Sequence, residues 1–431
     1  MPQPLARHDI SWQHMGMSDL PPPAAPTPKA LEGIKVLDLS RVLAGPWATQ
    51  MLGDLGADIL KIEQPGQGDD TRRWGGPALA DESGDSAYFL CANRNKRSLA
   101  IDLATHEGAA LIRRLALQSD IVVENFRVGG LAKYGLDYAA LSALNPRLIY
   151  CSITGFGQNG PYADKGGYDF LIQAMGGLMS ITGLPDGVPG GGPMKVGVPI
   201  VDLFTGTYAT VAILAALRHR DATGQGQRID CALLDTQLSM LSNQASRYLN
   251  GGAVPGRLGN DHPDIVPYRD YACADGDIVV ALGNDRQFRD FAAILGLGAL
   301  LDDPRFASVS LRSANRAALH ERVGPAVARW RVDDLVVAME AAKLPAGKVQ
   351  GIPEILEDPQ VAARGSVQTL ERDDGTPLRV VGFPAKLSET PPRYDRAPPR
   401  AGADTRAVLA EVLGVSAVEL DALAAGGVIA G

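Results

Sequence analysis

The chain has 431 residues, 45% hydrophobic and 21% charged, a globular composition at a length that calls for more than one compact core. A net charge of −8 argues against general nucleic-acid binding, which needs a basic face, yet leaves room for a local basic pocket taking a small phosphorylated ligand. Four cysteines without a CxxC pair and six scattered histidines without HExxH predict thiols in a reducing, cytoplasmic setting, with no disulfide frame and no metal.

Residues 1–30 lack the charged-then-apolar order of a signal peptide and carry Asp9 and Asp19, which a transit peptide avoids. With Pro21, Pro22, Pro23, Pro26 and Pro28 they read as an extended arm, a disordered tail in preference to an arm lying on a partner subunit. No apolar run is expected to reach the ~18 residues of a membrane span, so no membrane association is predicted.

From residue 34 short apolar runs alternate with amphipathic stretches. Ile34–Leu39, Asp58–Ile62, Leu99–Leu103, Ile121–Glu124 and Arg147–Ile153 are predicted strands, with helices over Trp47–Leu55 and Glu107–Leu117. This alternation predicts an α/β domain with a mostly parallel sheet covered on both faces. A long apolar helix is expected over Leu203–Arg218, then a strand at Gln227–Leu233 and a helix over Asp235–Tyr248. The Gly-, Pro- and Asn-rich stretch Gly251–His262 marks a domain boundary. Beyond it come a strand at Ile278–Leu282 and helices at Gln287–Leu295, Ala314–Val323 and Val332–Ala341. A strand pair at Val367–Glu371 and Leu378–Val381 precedes closing helices at Thr405–Leu413 and Ala417–Ala425.

Gly155-Phe-Gly157-Gln-Asn-Gly160 matches GxGxxG after a predicted strand, but a dinucleotide site needs a helix to start in that loop. Pro161 and the run Ala163-Asp164-Lys165-Gly166-Gly167 predict more loop instead. No GK[ST] follows the Gly-rich stretch Gly187–Gly197, and no GxSxG occurs. Asp202 ends the apolar approach Val198-Pro199-Ile200-Val201 and starts the long helix. There it reads as an N-cap, held ionised near or below ~3.9 by backbone N–H groups and the helix dipole. Most such residues only cap. The basic run Asn93-Arg94-Asn95-Lys96-Arg97 reads as a solvated face or, next to a strand, as a seat for a phosphate or carboxylate.

Several segments together resemble the class III CoA-transferases, the CaiB/BaiF family, from Leu31 to the C-terminus. They are Leu31-Glu-Gly-Ile-Lys-Val-Leu-Asp-Leu-Ser40, Ala44-Gly-Pro46, Leu55-Gly-Ala-Asp58 with Lys61-Ile-Glu63, Asn95-Lys-Arg-Ser98, Val123-Glu-Asn-Phe126, Asn145-Pro-Arg147 and Thr223-Gly-Gln-Gly-Gln227. The resemblance implies a large open Rossmann-like domain, a smaller α+β domain and an interlocked homodimer. It divides the chain into the arm 1–30, a large domain over 31–244, a small domain over 245–345, and a linker returning to the large domain over 346–431.

The resemblance makes Asp202 the nucleophile of an acyl transfer that needs no metal or other cofactor, the CoA ester being a substrate. It places Val42, Ala44, Ile101, Asn125, Phe126, Lys133 and Tyr168 around CoA. Gln64 and Ala104 stand where oxalate-specific members are basic, so Lys61, Arg72 or Lys165 is expected to take over phosphate contacts. Racemases of the same fold carry a Gly-His-Asp segment that reads Gly167-Tyr168-Asp169 here, and Tyr is a poor base near neutral pH. Asn93-Arg94-Asn95, Cys151-Ser-Ile-Thr-Gly155 and Ile265-Val-Pro-Tyr268 are similar to the succinate–hydroxymethylglutarate (glutarate) type. That similarity implies dicarboxylate substrates; Arg94 is nominated to face the second carboxylate, with Asn260 and His262 on the Gly259–His262 loop as wall residues. The competing readings are an α-methylacyl-CoA racemase and a non-catalytic CoA- or dinucleotide-binding protein.

Overall fold

A computed structural model describes residues 28–79 and 83–431. The expected N-terminal arm therefore lies almost wholly outside the described residues.

Among the described residues the strands, in chain order, are β1 (Lys35–Asp38), β2 (Asp58–Glu63), β3 (Lys96–Ile101), β4 (Ile121–Glu124), β5 (Ile149–Thr154), β6 (Arg228–Ala232), β7 (Tyr268–Ala272), β8 (Asp277–Ala281), β9 (Ala346–Lys348), β10 (Val367–Glu371), β11 (Pro377–Val381) and β12 (Ile429–Ala430). The main sheet runs in the order β12-β3-β2-β1-β4-β5-β6. All its pairings are parallel except that of β12, which comes from the end of the chain and runs antiparallel to β3, Ile429 opposite Ile101. The central strands are buried on both faces, which is why they read as continuous apolar runs.

One face packs Leu37, Leu60, Leu99 and Val122 under the helices His106–Leu117 and Thr405–Leu413. The other packs Val36, Ile59, Ile121, Val123 and Ile149 under Ala44–Asp54 and Ile200–Thr223. The chain builds β1, β2 and β3 outward in one direction, then returns to lay β4 on the other side of β1. The loops after β1 and β4 therefore part from each other, and such a switch point leaves a crevice at the carboxyl ends of the strands.

A separate core joins Val266, Tyr271, Ile278, Val280, Phe288, Phe291, Leu335 and Met339 around the sheet β7-β8-β9. The hairpin β10–β11 seats Leu370, Leu378 and Val380 on Phe89 and Leu90 of the larger unit.

Several expectations change. β3 starts at Lys96 rather than Leu99, because the side chains of Lys96 and Ser98 point into a buried polar network that hides the strand's hydrophobic signature. The helix expected over Asp235–Tyr248 is two, Leu233–Met240 and Ser242–Gly251, broken where Ser242 takes φ +47°. The helix expected over Ala314–Val323 divides at Asn315 into Val309–Ala314, capped by Ser308, and Arg316–Val327. The helix Ile200–Thr223 is longer than expected, and by length and composition it is apolar enough to cross a membrane, against the sequence expectation. Its inward stripe of Val201, Ala209, Ile213, Ala216 and Leu217 is buried in the core described above.

Candidate active site

The crevice at the switch point is a cleft of ≈ 440 Å³. Its first wall is the loop from β1 to the helix Ala44–Asp54. Val42 sits there at φ +69°, a conformation that costs a β-branched residue on the order of 1–3 kcal/mol. The loop is tied down from the β4 side: Asn125 Oδ1 accepts the N–H of Arg41 at 2.9 Å, and its Nδ2 donates to the Arg41 carbonyl at 2.7 Å. Arg41 in turn lies over the Phe126 ring and faces Asp70 at 3.4 Å.

The opposite wall is the loop after β5. Gly155 and Gly167 touch backbone to backbone: a Cβ on either would fall within 2.6 Å of the other's Cα. This contact brings Gly166, Gly167 and Tyr168 over the end of β5. The Gly155–Gly160 run is loop and turn, the next helix starting only at Asp169, so the GxGxxG match opens no helix.

Asp202 lies on the cleft lining, half-buried, in the first turn of Ile200–Thr223. It does not cap that helix. The helix begins two residues earlier, and the capping acceptor is Asp169, whose Oδ1 takes the N–H of Val201 at 2.7 Å and of Asp202 at 3.3 Å. Gln173 holds Asp169 in place, donating to Oδ2 at 2.6 Å while its own carbonyl accepts the Val196 N–H at 2.9 Å. Relieved of capping, the Asp202 carboxyl has no hydrogen-bond or ion-pair partner among the described residues. Burial, and then the charge of Asp169, push it up to about 7. This corrects the expectation of a carboxylate at or below its ordinary value, because the groups that would have lowered it serve Asp169. Tyr88, not anticipated from the sequence, lies near enough that both carboxylates push its phenol up, after burial.

The cleft thus gathers Val42, Ala44, Asn125, Phe126, Lys165, Tyr168 and Asp202 from the expected set. It adds Arg41 and Arg127, which no motif marked, and Thr154, which lies in the segment Cys151–Gly155 but has no expected role. Lys165 is exposed, its ammonium 3.8 Å from the Tyr162 ring centroid.

Four other expectations are corrected. Lys61 is fully buried, donating to Asp69 at 2.9 Å and to the Ser40 carbonyl at 3.0 Å, so it is closed to a ligand phosphate. Arg72 is buried between Glu63 and Asp85 at 2.7 and 2.8 Å. Arg94 is buried in a two-point bond to Asp54, 2.8 Å through Nε and 2.6 Å through a terminal nitrogen, and donates to the Val381 carbonyl. It is not a surface cation for a substrate carboxylate. Ile101 is 1% exposed, and its side chain fills the core beneath the sheet.

Lys133 is exposed, with its ammonium over the Tyr134 ring and off the cleft lining. Asn260 and His262 lie on the segment leading into β7 and are not on the cleft lining of the same chain. His262 Nδ1 accepts the N–H groups of Asp264 and Ile265, each at 3.1 Å, and its ring packs on Tyr268. Among the described residues no group of three or more His, Cys, Asp or Glu side chains is set to hold a metal.

The model of CoA-transferase family III matches residues 31–405. The succinate–glutarate CoA-transferase of Agrobacterium fabrum is 50% identical over 399 residues, 92% of this chain and 98% of that protein. The human succinyl-CoA:glutarate CoA-transferase is 40% identical over 385 residues, covering 89% and 86%. The crystal structure of a CaiB/BaiF family protein from Brucella suis superposes with a TM-score of 0.80 at 46% identity, covering 89% of this chain and 99% of that one.

Proposed function

We propose that this chain, which belongs to CoA-transferase family III, moves CoA from succinyl-CoA to a second dicarboxylic acid through covalent intermediates on Asp202. The observation that carries the mechanism is the state of Asp202: a carboxylate on the lining of the switch-point cleft, with no hydrogen bond to blunt its lone pairs.

Ionised Asp202 attacks the donor thioester carbonyl, forming an acyl–aspartyl anhydride as the C–S bond breaks and the pair leaves on CoA thiolate. The thiolate attacks the Asp202 carbonyl of the anhydride. An aspartyl-CoA thioester forms and the donor acid departs as its carboxylate. The acceptor carboxylate attacks this thioester, giving a second anhydride and thiolate again, and the thiolate takes the acceptor's acyl group to regenerate Asp202. Each step exchanges one acyl bond for another, so no redox group or metal is required. Asp169 keeps the helix start fixed beneath Asp202.

Dicarboxylates are favoured as substrates because the relatives named above are named for succinate or succinyl-CoA with glutarate. A racemase reading is disfavoured: Tyr168 occupies the position of the base, and among the described residues no histidine lines the cleft. We also propose a homodimer. Phe170, Phe204, Tyr208, Val211 and Leu238 leave a broad apolar surface exposed beside the site. In the interlocked dimer that the family resemblance implies, Asn260 and His262 would serve in substrate selection from the partner's side of the cleft.

The test is to incubate the protein with succinyl-CoA and a panel of mono- and dicarboxylic acids and identify the CoA esters by mass spectrometry. Glutaryl-CoA or another diacid ester must form. Exchange confined to monoacids would contradict the substrate assignment, and no exchange with any acid would contradict the function.

A further inference from the structure

Beneath the first wall of the cleft lie four buried ions of alternating sign. Asp38, Lys61, Asp69 and Lys96 are each fully shielded from solvent, and they form the pairs Lys61–Asp69 at 2.9 Å and Lys96–Asp38 at 3.1 Å. Besides bonds that Asp38 accepts from Thr49 and Asp69 accepts from Thr71, each of the four reaches one short piece of backbone. Asp38 Oδ1 accepts the N–H and hydroxyl of Ser40, at 3.0 and 2.5 Å. Lys61 donates to the Ser40 carbonyl at 3.0 Å, and Asp69 Oδ1 accepts the N–H of Val42 at 3.3 Å. Lys96 donates to the Pro46 carbonyl at 2.9 Å, with Asn93 Oδ1 as its third acceptor at 2.9 Å. Including the bond from Arg41 to Asn125, every amide from Ser40 to Val42 donates to a side-chain oxygen.

Buried ion pairs contribute little stability over apolar side chains of the same shape, because desolvation cancels most of the attraction. Two such pairs under one loop are poorly explained as fold stabilisers. What they do specifically is hold a β-branched residue at φ +69° on the wall of the cleft. A strained loop of this kind persists only where its surroundings over-determine it.

We propose that Asp38, Lys61, Asp69 and Lys96 are positioning residues that set the Ser40–Val42 backbone in its acyl-CoA-receiving shape before the ligand arrives. The proposal rests on the reading of this cleft as the seat of the acyl-CoA. Pre-ordering of this kind improves affinity for the CoA ester and leaves the chemistry at Asp202 unchanged. Its signature is a split in the kinetics rather than a general loss.

The test pairs exchange and kinetics. In the unaltered, ligand-free protein the amide protons of Ser40, Arg41 and Val42 should exchange as slowly as those of β1; exchange at unfolded-chain rates would overturn the proposal whether or not any variant folds. The double variant Lys61→Met with Asp69→Asn removes both charges of one pair together, leaving no buried ion alone. It should speed exchange at these amides and raise KM for succinyl-CoA by about tenfold or more, with kcat and the KM of the acid held within about threefold. Val42→Gly in that background should recover part of the KM, since glycine adopts this φ unaided. Retained protection in the double variant, or a parallel fall in kcat with both KM values raised, would overturn the proposal. Lost protection with an unchanged KM for succinyl-CoA would instead strike the assignment of the cleft, and with it the kinetic role of the four ions.

Discussion

Asp169 caps the helix that presents Asp202: one carboxylate oxygen accepts the amides of Val201 and of Asp202 itself, 2.7 and 3.3 Å away. The two carboxylates thereby divide two tasks that the sequence seemed to give to one. Asp169 holds the helix start and bears the hydrogen bonds, while the Asp202 carboxyl is left without a hydrogen-bond partner among the described residues and carries a raised pKa.

The first consequence concerns pH. With Asp202 pushed up to about 7, the nucleophilic form is lost as the pH falls through that value, so kcat/KM should show an acid limb near neutrality. Asp169→Asn keeps an oxygen for the cap but removes the neighbouring charge. The limb should move to lower pH by roughly one unit. An unmoved or upward-shifted limb in the pH–rate profile would count against the coupling.

Asp169→Ala removes the cap altogether and leaves the Val201 amide buried without an acceptor. Urea unfolding should show a loss of about 1–2 kcal/mol. A variant as stable as the parent would mean that the amide finds another partner.

Stability should also report on Asp202. Its folded pKa lies above the ordinary carboxylate value, so folding favours the protonated form. That contribution is fully present below about pH 4 and lost as the pH rises to about 7. Asp202→Asn, neutral throughout, should therefore melt several degrees above the parent at pH 8, with the gap narrowing as the pH falls toward 4. Equal melting temperatures at pH 8 would argue that the carboxylate is better solvated than its position indicates.

Arg94 gives a negative prediction. Because it is held by Asp54, Arg94→Ala should cost about 3–5 kcal/mol by stranding a buried carboxylate. The ratio of kcat/KM for diacids over monoacids should stay as it was. A selective loss with diacids would show that Arg94 leaves Asp54 to meet substrate.

Much of the fold was legible because central parallel strands are unbroken apolar runs; β4 and the helices Val332–Ala341, Thr405–Leu413 and Ala417–Ala425 fall where periodicity placed them. What escaped was tertiary. The basic run around Arg94 and Lys96 looks solvated in sequence, yet both side chains turn inward, because Asp54 and Asp38 wait there from elements 40 residues away in Arg94's case and 58 in Lys96's. The cap from Asp169 reaches across about thirty residues, so local spacing gave the capping role to Asp202. Val42, Asn125 and Phe126 could be placed by resemblance, whereas Arg41 and Arg127 carry no motif and are found only by folding the chain around the switch point.

The most direct test of the central claim is to trap the enzyme with succinyl-CoA alone, reduce it with borohydride, and map the modified residue by peptide mass spectrometry. An aspartyl thioester predicts reduction of the side chain of Asp202 and of no other residue, and loss of the label in Asp202→Asn together with CoA exchange. Full exchange activity in Asp202→Asn, or a label on another side chain, would contradict it.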